Sequence, residues 1–467
     1  MVAVILDPQS WSAAQFSDCV LGDVRRNQRL IKVAMQMAAR PDGSTPDQTE
    51  TWAACKAAYR LFDEEDVTFA GIVAPHCRQT RTAGQPGSVK LLINDTTELD
   101  FGRHRKVTGL GPTGDGGGLG FFLHSSLMID AATNQIDGLA GQKRFYRKVR
   151  STARRHDNSV RRSSDRESVV WGEFIDVIGP PTNGMKWIHV CDRGADDFEV
   201  FCRALRQRCE FVIRASRLNR KVFNAQGKKL ALDGFLKGLA IRGINKIAVR
   251  PGHGCRGRTA LVEIRFGQVL VPVPSVKTPW MKQYVTRDPL LLWVVELRES
   301  SPPKGVTPLR WVLYTSEAVN TITDAQAVIS HYEQRWTIED YHKALKTGCH
   351  VEHRQYATAA RLERVTAVLS ILAVRLLQMK TTARDTPDRP AHEVAPARWV
   401  EILKRVRRKA DTHVMTIREF IRELAGLGGH LGRKCDGEPG WITLWRGLEK
   451  LLLILRGADA ERRRKCG

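Results

Sequence analysis

Two apolar runs in this chain stop at an aspartate. Leu91, Leu92 and Ile93 lead to Asp95, and Trp187, Ile188, His189, Val190 and Cys191 lead to Asp192. Each run reads as a strand with a carboxylate at its end. A carboxylate there is held rigidly yet stays open to solvent, which suits Mg²⁺, a cation that prefers oxygen ligands and keeps water for chemistry. Either aspartate alone has an ordinary structural use. Asp95 in INDTTELDF can cap a turn, and Asp192 in VCDRGAD can cap the helix read at Phe198 to Leu205.

A third carboxylate follows on a stretch, 323–347, that reads as helical. Tyr332, Arg335, Glu339 and Lys346 recur there at i, i+3, i+7 and i+14. At roughly 100° per residue they fall in one sector about 60° wide. That face offers a phenol, a guanidinium, a carboxylate and an ammonium. It is suited to metal and phosphate together, and it equally describes a surface salt-bridge face.

The charge balance narrows the partner. Among 467 residues, Lys and Arg number 74 against 50 Asp and Glu, a formal net charge of +24. Basic side chains gain by displacing counterions from phosphates, so a polyanion such as DNA is the expected partner. With 42% hydrophobic and 27% charged residues the chain reads as packed, and its length suggests two to four domains. No run of 18 apolar residues and no secretory signal is visible, so a cytoplasmic protein is expected. The ten cysteines form no CxxC pair. Cys349, His350 and His353 imitate a metal cluster but lack a second ligand pair at zinc spacing.

Along the chain, residues 1–75 read as small helices. Leu30, Val33, Ala34 and Met37 share one face, with Arg25, Arg26, Arg29 and Lys32 on the same helix and Lys56 and Arg60 on the next. This is either a DNA-reading module or a solvated face. GLGPTG within residues 109–120 matches GxGxxG, but Pro112 and the following glycines suit a hairpin before a strand Gly120–Asp130 better than a dinucleotide loop. The basic stretch from Lys143 to Arg166 reads as a loop that touches phosphate or is merely solvated. A short strand Phe211–Ile213 precedes a β-rich region at about 215–315, with runs Leu261–Phe266, Val269–Val273, Leu290–Val295 and Trp311–Tyr314. Leu362, Val365, Leu369, Leu372 and Leu376 mark a further helix, and Arg384–Pro396 reads as a linker. Near the end, Trp441, Leu444, Trp445, Leu448, Leu451, Leu452 and Leu455 form a stripe that serves as core or as a dimer surface, before a basic tail Arg462–Lys465 read as frayed.

The helix YEQRWTIEDYHKALKTG resembles the Y-(2)-R-(3)-E-(6)-K motif of bacterial insertion-sequence-four family transposases, with the four residues at that spacing and no gap. INDTTELDF and VCDRGAD resemble the segments that carry the family's first and second catalytic aspartates, and LGDVRRNQRL and GEPGWITLWRG resemble further blocks. The resemblance spans most of the chain. It implies an α/β fold: an RNase H-like catalytic core at 76–380 with an inserted β subdomain at about 215–315, a helical DNA-binding domain at 1–75 and a helical C-terminal dimerisation domain at 381–467.

It also implies a DDE transposase in which Asp95, Asp192 and Glu339 ligate two Mg²⁺ or Mn²⁺ ions. Tyr332, Arg335 and Lys346 would contact DNA, with further contacts from Trp311, Trp336, Arg214 and Lys343 and from Arg25, Arg26 and Arg29. Trp311 and Trp336 match the family's tryptophans near a flipped base. The implied partners are the transposon's terminal inverted repeats, target DNA and a second protomer in the synapse, and the implied location is the bacterial cytoplasm at the nucleoid. The implied chemistry is end cleavage by way of a DNA hairpin, then strand transfer. Two other readings are an RNase H-like nuclease that does not join ends and a DNA-binding protein without catalysis. One departure stands out, since Gly194 gives DRGAD where relatives commonly have Glu at that position.

Overall fold

The computed structural model describes residues 7–102, 106–114, 117–147, 169–249, 257–385, 387–410, 412–433 and 436–466. From the N-terminus come helices α1 (Pro8–Phe16), α2 (Val24–Ala39), α3 (Thr45–Gln48), α4 (Trp52–Leu61) and α5 (Phe69–Thr82). Strands β1 (Val89–Asp100), β2 (Gly111–Thr113), β3 (Gly118–Asp130) and β4 (Ile136–Phe145) follow. Next are α6 (Val169–Ile178), β5 (Lys186–Cys191), α7 (Phe198–Arg206) and β6 (Glu210–Arg214). The middle of the chain holds β7 (Lys221–Phe223), β8 (Lys229–Ala231), α8 (Leu232–Lys237), β9 (Gly243–Val249), β10 (Arg258–Val271), α9 (Pro279–Tyr284), β11 (Leu290–Glu299) and β12 (Arg310–Thr315). Helices α10 (Ile322–Glu333), α11 (Trp336–Lys343), α12 (Ala359–Asp385), α13 (Ala397–Val406), α14 (Ile417–Leu427) and α15 (Trp441–Cys466) complete it.

These elements gather into two compact units. One comprises Met1–Ala83, Thr96–Arg147 and Thr337–Gly467, the other Gly84–Asp95 and Lys148–Trp336. The division therefore falls inside β1 and inside α11.

In the second unit, β1 runs parallel to β5 and β5 parallel to β6, while β12 pairs antiparallel with β6, followed by β11 and β10. β9 pairs with β10, as does β7, which also pairs with β8. The apolar runs are continuous because both sheet faces are covered: Leu92, Ile93, Trp187, Ile188 and Val190 are fully buried. One face carries a core cluster in which Trp171, Phe198 and Phe201 of α6 and α7 meet Cys191, Phe211, Ile213 and Tyr314. The two runs expected at Leu261–Phe266 and Val269–Val273 are one strand, β10, that passes through Gly267. A glycine reads as a break, but here it admits α8: a β-carbon on Gly267 would lie 3.1 Å from the Phe235 ring.

In the first unit, Asp23, Thr51 and Thr68 cap α2, α4 and α5 through their side-chain oxygens. The stripe Leu30, Val33, Ala34 and Met37 is buried as its period demands. β2 and β3 form the hairpin that the glycine-rich stretch suggested, with Gly111 opposite Gly120. α5 is fastened to β4, where His76 Nε2 accepts from Leu139 N at 3.0 Å and Arg81 donates to the Ala140 carbonyl at 2.6 Å.

Two expectations for the C-terminal part are corrected, and an alternative left open there is decided. Arg384–Pro396 is no free linker: α12 runs to Asp385, and beyond it Ala391 N bonds Met415 O at 2.8 Å while Ala391, Val394 and Ala395 are buried. The stripe from Trp441 to Leu455 is buried within the chain itself, so it serves as core. α14 and α15 touch through glycine, since a β-carbon on Gly447 would lie 1.8 Å from the Leu424 carbonyl oxygen. The tail is helical to Cys466 rather than frayed. Of the basic stretch from Lys143 to Arg166, residues 148–168 lie outside the described residues.

Candidate active site

Strand register puts the two aspartates side by side. Ile93 pairs with Val190 in the parallel β1–β5 ladder, so continuing two residues sets Asp95 beside Asp192. Partners in a parallel ladder point to one face, and alternation along each strand keeps them there. The opposite face confirms this phase, since Asn94 Nδ2 reaches Cys191 Sγ at 3.5 Å and His189 Nδ1 at 3.2 Å in the core. Both carboxylates are partly exposed, in contrast to the buried residues before them.

Beyond β5 the chain turns through a short 3₁₀ segment, Arg193–Ala195, where Gly194 N donates to Asp192 Oδ1 at 2.7 Å. Asp192 thus caps this turn while standing at the strand end, and Asp197 rather than Asp192 caps α7. The β5–β6 ladder pairs Cys191 with Ile213, which sets Arg214 beside Asp192.

Arg214 is half-buried and donates to the Arg310 carbonyl at 3.1 Å. Burial lowers its pKa from the usual value, Tyr332 acts against this, and nearby Arg193 and Arg335 add to it. Tyr332, on α10, is 1% exposed. Burial raises its phenol pKa, opposed by Arg214 and Arg335 and reinforced by Asp192, so the hydroxyl keeps its proton at neutral pH. Around Asp95 and Asp192 the second unit therefore collects Arg214, Tyr332 and Arg335.

Trp311, expected as a stacking platform for an extruded base, is 5% exposed and packs edge-on against Tyr332 with ring centroids 5.0 Å apart. It is a core residue here, because its strand lies inside the sheet, Leu297 of β11 pairs with it and Tyr332 covers its ring. Trp336 is partly exposed, with the Arg335 guanidinium 4.6 Å from its ring centroid.

The expectation of one continuous helix over 323–347 is also corrected. α10 ends at Glu333, Arg335 N bonds Tyr332 O at 3.0 Å in an i→i−3 turn, and α11 starts at Trp336. After Lys343 the chain winds as a π-helix over Ala344–Gly348, a form found frequently at functional sites. The single-face geometry of an ideal helix therefore does not hold from Tyr332 to Lys346.

In the first unit, Glu339 is partly exposed in the first turn of α11, beside buried Ile338 and Tyr341. Lys343 is exposed. Lys346 is 3.1 Å from Glu352 Oε1, an oxygen that also accepts from Asp100 N at 3.0 Å. On α2, Arg26 is 2.6 Å from each of Glu64 and Asp66, so it braces the helices instead of offering a free guanidinium. Arg25 pairs with Asp23 at 2.9 Å on the surface, and Arg29 is partly exposed.

Asp196 is the residue the sequence reading missed. Its side chain is fully buried, accepts from Ser216 N, Ser216 Oγ and Arg217 N at 2.7, 2.9 and 3.1 Å, and pairs with Arg220 at 2.5 Å. It ties the turn after Asp192 to the loop after Arg214. A second acidic residue four positions after Asp192 was the available signal.

Three family models match this chain. Residues 8–67 match a transposase DNA-binding model, residues 186–374 a transposase DDE domain, and residues 371–465 a transposase Tn5 dimerisation domain. The protein is a DDE transposase. The three matches together are of the Tn5-like type, and the DDE match takes in Asp192 and Glu339. This transposase binds DNA, cleaves and transfers DNA strands, and forms dimers. Among the described residues no helix is long and apolar enough to cross a membrane.

DDE transposases use divalent metals. Among the described residues no group of three or more His, Cys, Asp or Glu side chains is gathered as a metal site. The donor set nevertheless fits Mg²⁺ or Mn²⁺, because such ions bind through one or two carboxylates and take the rest of their shell from water and substrate phosphate. Asp95 and Asp192 offer such a pair.

Proposed function

We propose that this transposase works by cut-and-paste on an RNase H-like core, with Asp95, Asp192 and Glu339 as ligands of two divalent ions. The observation that carries the reading is the in-register pair Asp95 and Asp192 just beyond the last β1–β5 ladder pair, with Arg214 beside it. When bound there, the ions lower the pKa of the attacking water or hydroxyl and offset charge on the leaving oxygen. The chain's own groups do the rest. Gly194 N–H fixes one Asp192 oxygen, Arg214 and Arg335 balance phosphate charge, and the protonated Tyr332 hydroxyl can donate to a phosphate oxygen. Arg335, Trp336, Lys343 and Lys346 hold the DNA end, and Arg25 and Arg29 contact the terminal inverted repeat.

The proposed order of chemistry is a nick by water, then attack of the freed 3′-hydroxyl on the opposite strand to close a hairpin. A second water opens the hairpin, and the 3′-hydroxyl then attacks target DNA in a synapse of two protomers. The three-domain division at 1–75, 76–380 and 381–467, with the β insertion at about 215–315, belongs to this reading, as does work at the bacterial nucleoid.

The test uses labelled DNA bearing the inverted repeats that flank the gene, with and without Mg²⁺. Metal-dependent flank cleavage with joining of the 3′ end to a plasmid is expected, and Glu339→Gln should abolish both. Cleavage without joining would reassign the protein as a nuclease. A second outcome follows from the Lys346–Glu352 pair. Glu352→Gln releases the ammonium, so DNA affinity should rise at low salt and the slope of log K against log salt should steepen by about one. An unchanged slope would remove Lys346 from the DNA contacts.

A further inference from the structure

The space around Asp192 is set by a tryptophan that takes no part in the chemistry proposed above. Gly194 N holds Asp192 Oδ1 at 2.7 Å. A β-carbon on Gly194 would lie 3.0 Å from that same oxygen and 3.0 and 3.1 Å from Cζ2 and Cε2 of Trp171. Gly194 is not among the glycines with positive φ. Space, and not backbone conformation, is therefore what favours glycine there.

Trp171 cannot easily give way. It is 8% exposed inside the core cluster with Cys191, Ala195 and Phe198. Its helix is pressed against α7, where a β-carbon on Gly172 would lie 2.6 Å from Cδ of Arg203. Arg203 is itself clamped by Glu199 at 2.6 Å and by Asp176, and its guanidinium lies 4.3 Å from the Trp280 ring centroid. A β-carbon at 194 requires the wedged indole or the Asp192 carboxylate to give by a few tenths of an ångström, and the carboxylate is the softer of the two.

We propose that Trp171 is a positioning residue for Asp192. Its indole reserves the space over Gly194, so the turn after β5 keeps the geometry in which the Gly194 N–H fixes the carboxylate for metal. The two residues are a matched pair: filling one side of the contact demands emptying the other. The inference rests on the reading of Asp192 as a metal ligand.

The test is Mn²⁺ binding to the full chain assembled with an inverted-repeat duplex, followed by the paramagnetic resonance of free Mn²⁺, beside the urea unfolding midpoint without metal. Perturbing the surroundings of a ligand typically weakens metal binding about 10-fold or more. Gly194→Ala should do so with little change in the midpoint. The double variant Trp171→Leu with Gly194→Ala should recover to within about 3-fold of the parent, a coupling that independent sites do not show. Parent-like binding by Gly194→Ala, or a double variant no better than the single, overturns the pairing. Should Gly194→Ala fail to fold, the double variant decides alone, since a folded, binding double supports the pair and a weak or unfolded one overturns it. Asp192→Asn separates the two claims, because undiminished Mn²⁺ binding there would sink the ligand assignment itself.

Discussion

Asp192→Asn should cleave a labelled transposon end at least about a thousandfold more slowly than the parent under single-turnover conditions in Mg²⁺. Metal-assisted charge stabilisation supplies several kcal/mol, and each 1.4 kcal/mol is about tenfold in rate. The substitution removes a charge and one strong ligand oxygen while preserving shape. Gly194 N can still donate to an amide oxygen where it now donates to Oδ1. Binding of the duplex and the unfolding midpoint should therefore stay near parent values. Asp95→Asn should behave alike, because the ladder sets it beside Asp192 on the same face. A residual rate within tenfold of the parent for either variant would show that the pair does not carry the chemistry.

Asp196→Ala should be the most destabilising single change near the site. The carboxylate is fully buried, and its removal leaves the Ser216 and Arg217 amides without the oxygen they bond and the Arg220 guanidinium with the Asp196 main-chain carbonyl, at 3.0 Å, but no counter-charge there. Breaking a buried pair by deleting one partner costs about 3–5 kcal/mol, because an uncompensated charge stays behind. A large fall in the urea midpoint is expected. Asp196→Asn should fall less, since the amide oxygen can still accept from Ser216 N. An unfolding free energy within about 1 kcal/mol of the parent for the alanine variant, the net worth of an ordinary hydrogen bond, would mean that solvent or a rearranged loop replaces this anchor.

Much of this arrangement was legible in the chain. Trp187–Cys191, Phe198–Leu205 and Phe211–Ile213 each correspond to an observed element within a residue or two, because local periodicity and caps dictate them. That Asp192 follows the end of an apolar strand was legible too, whereas β1 does not end at Asp95 as expected but runs on to Asp100, because beyond Asp95 the residues are mostly polar and only alternately buried, at Thr97 and Leu99. That the strands are neighbours was not, since their pairing joins residues 97 positions apart and no local pattern encodes it. The same limit explains Trp311. An apolar run says that a side chain is buried but not what covers it, and Tyr332 arrives from another element. Arg26 reads as a free cation until Glu64 and Asp66 are brought to it. The break at Gln334 and the π-helical turn at Ala344–Gly348 contain neither Pro nor an early Gly to announce them.

The first unit is assembled from three separate stretches of chain, and this bears on how the protein leaves the ribosome. The turn after α2 depends on residues made some three hundred codons later. Arg354 donates to the Pro41 carbonyl at 2.6 Å and to Gln48 Oε1 at 3.0 Å, while Thr45 Oγ1 meets the Tyr356 hydroxyl at 2.7 Å in the interior. Until Arg354 and Tyr356 emerge, the Pro41 carbonyl, Gln48 Oε1 and the Thr45 hydroxyl lack these bonds, and the turn after α2 is held only by its neighbours in sequence. Contacts of such long sequence separation slow folding and expose sticky surface on the way. A nascent or prematurely terminated chain that lacks this region would be an unfinished N-terminal module. The N-terminal module is therefore completed only once Arg354 and Tyr356 have been made.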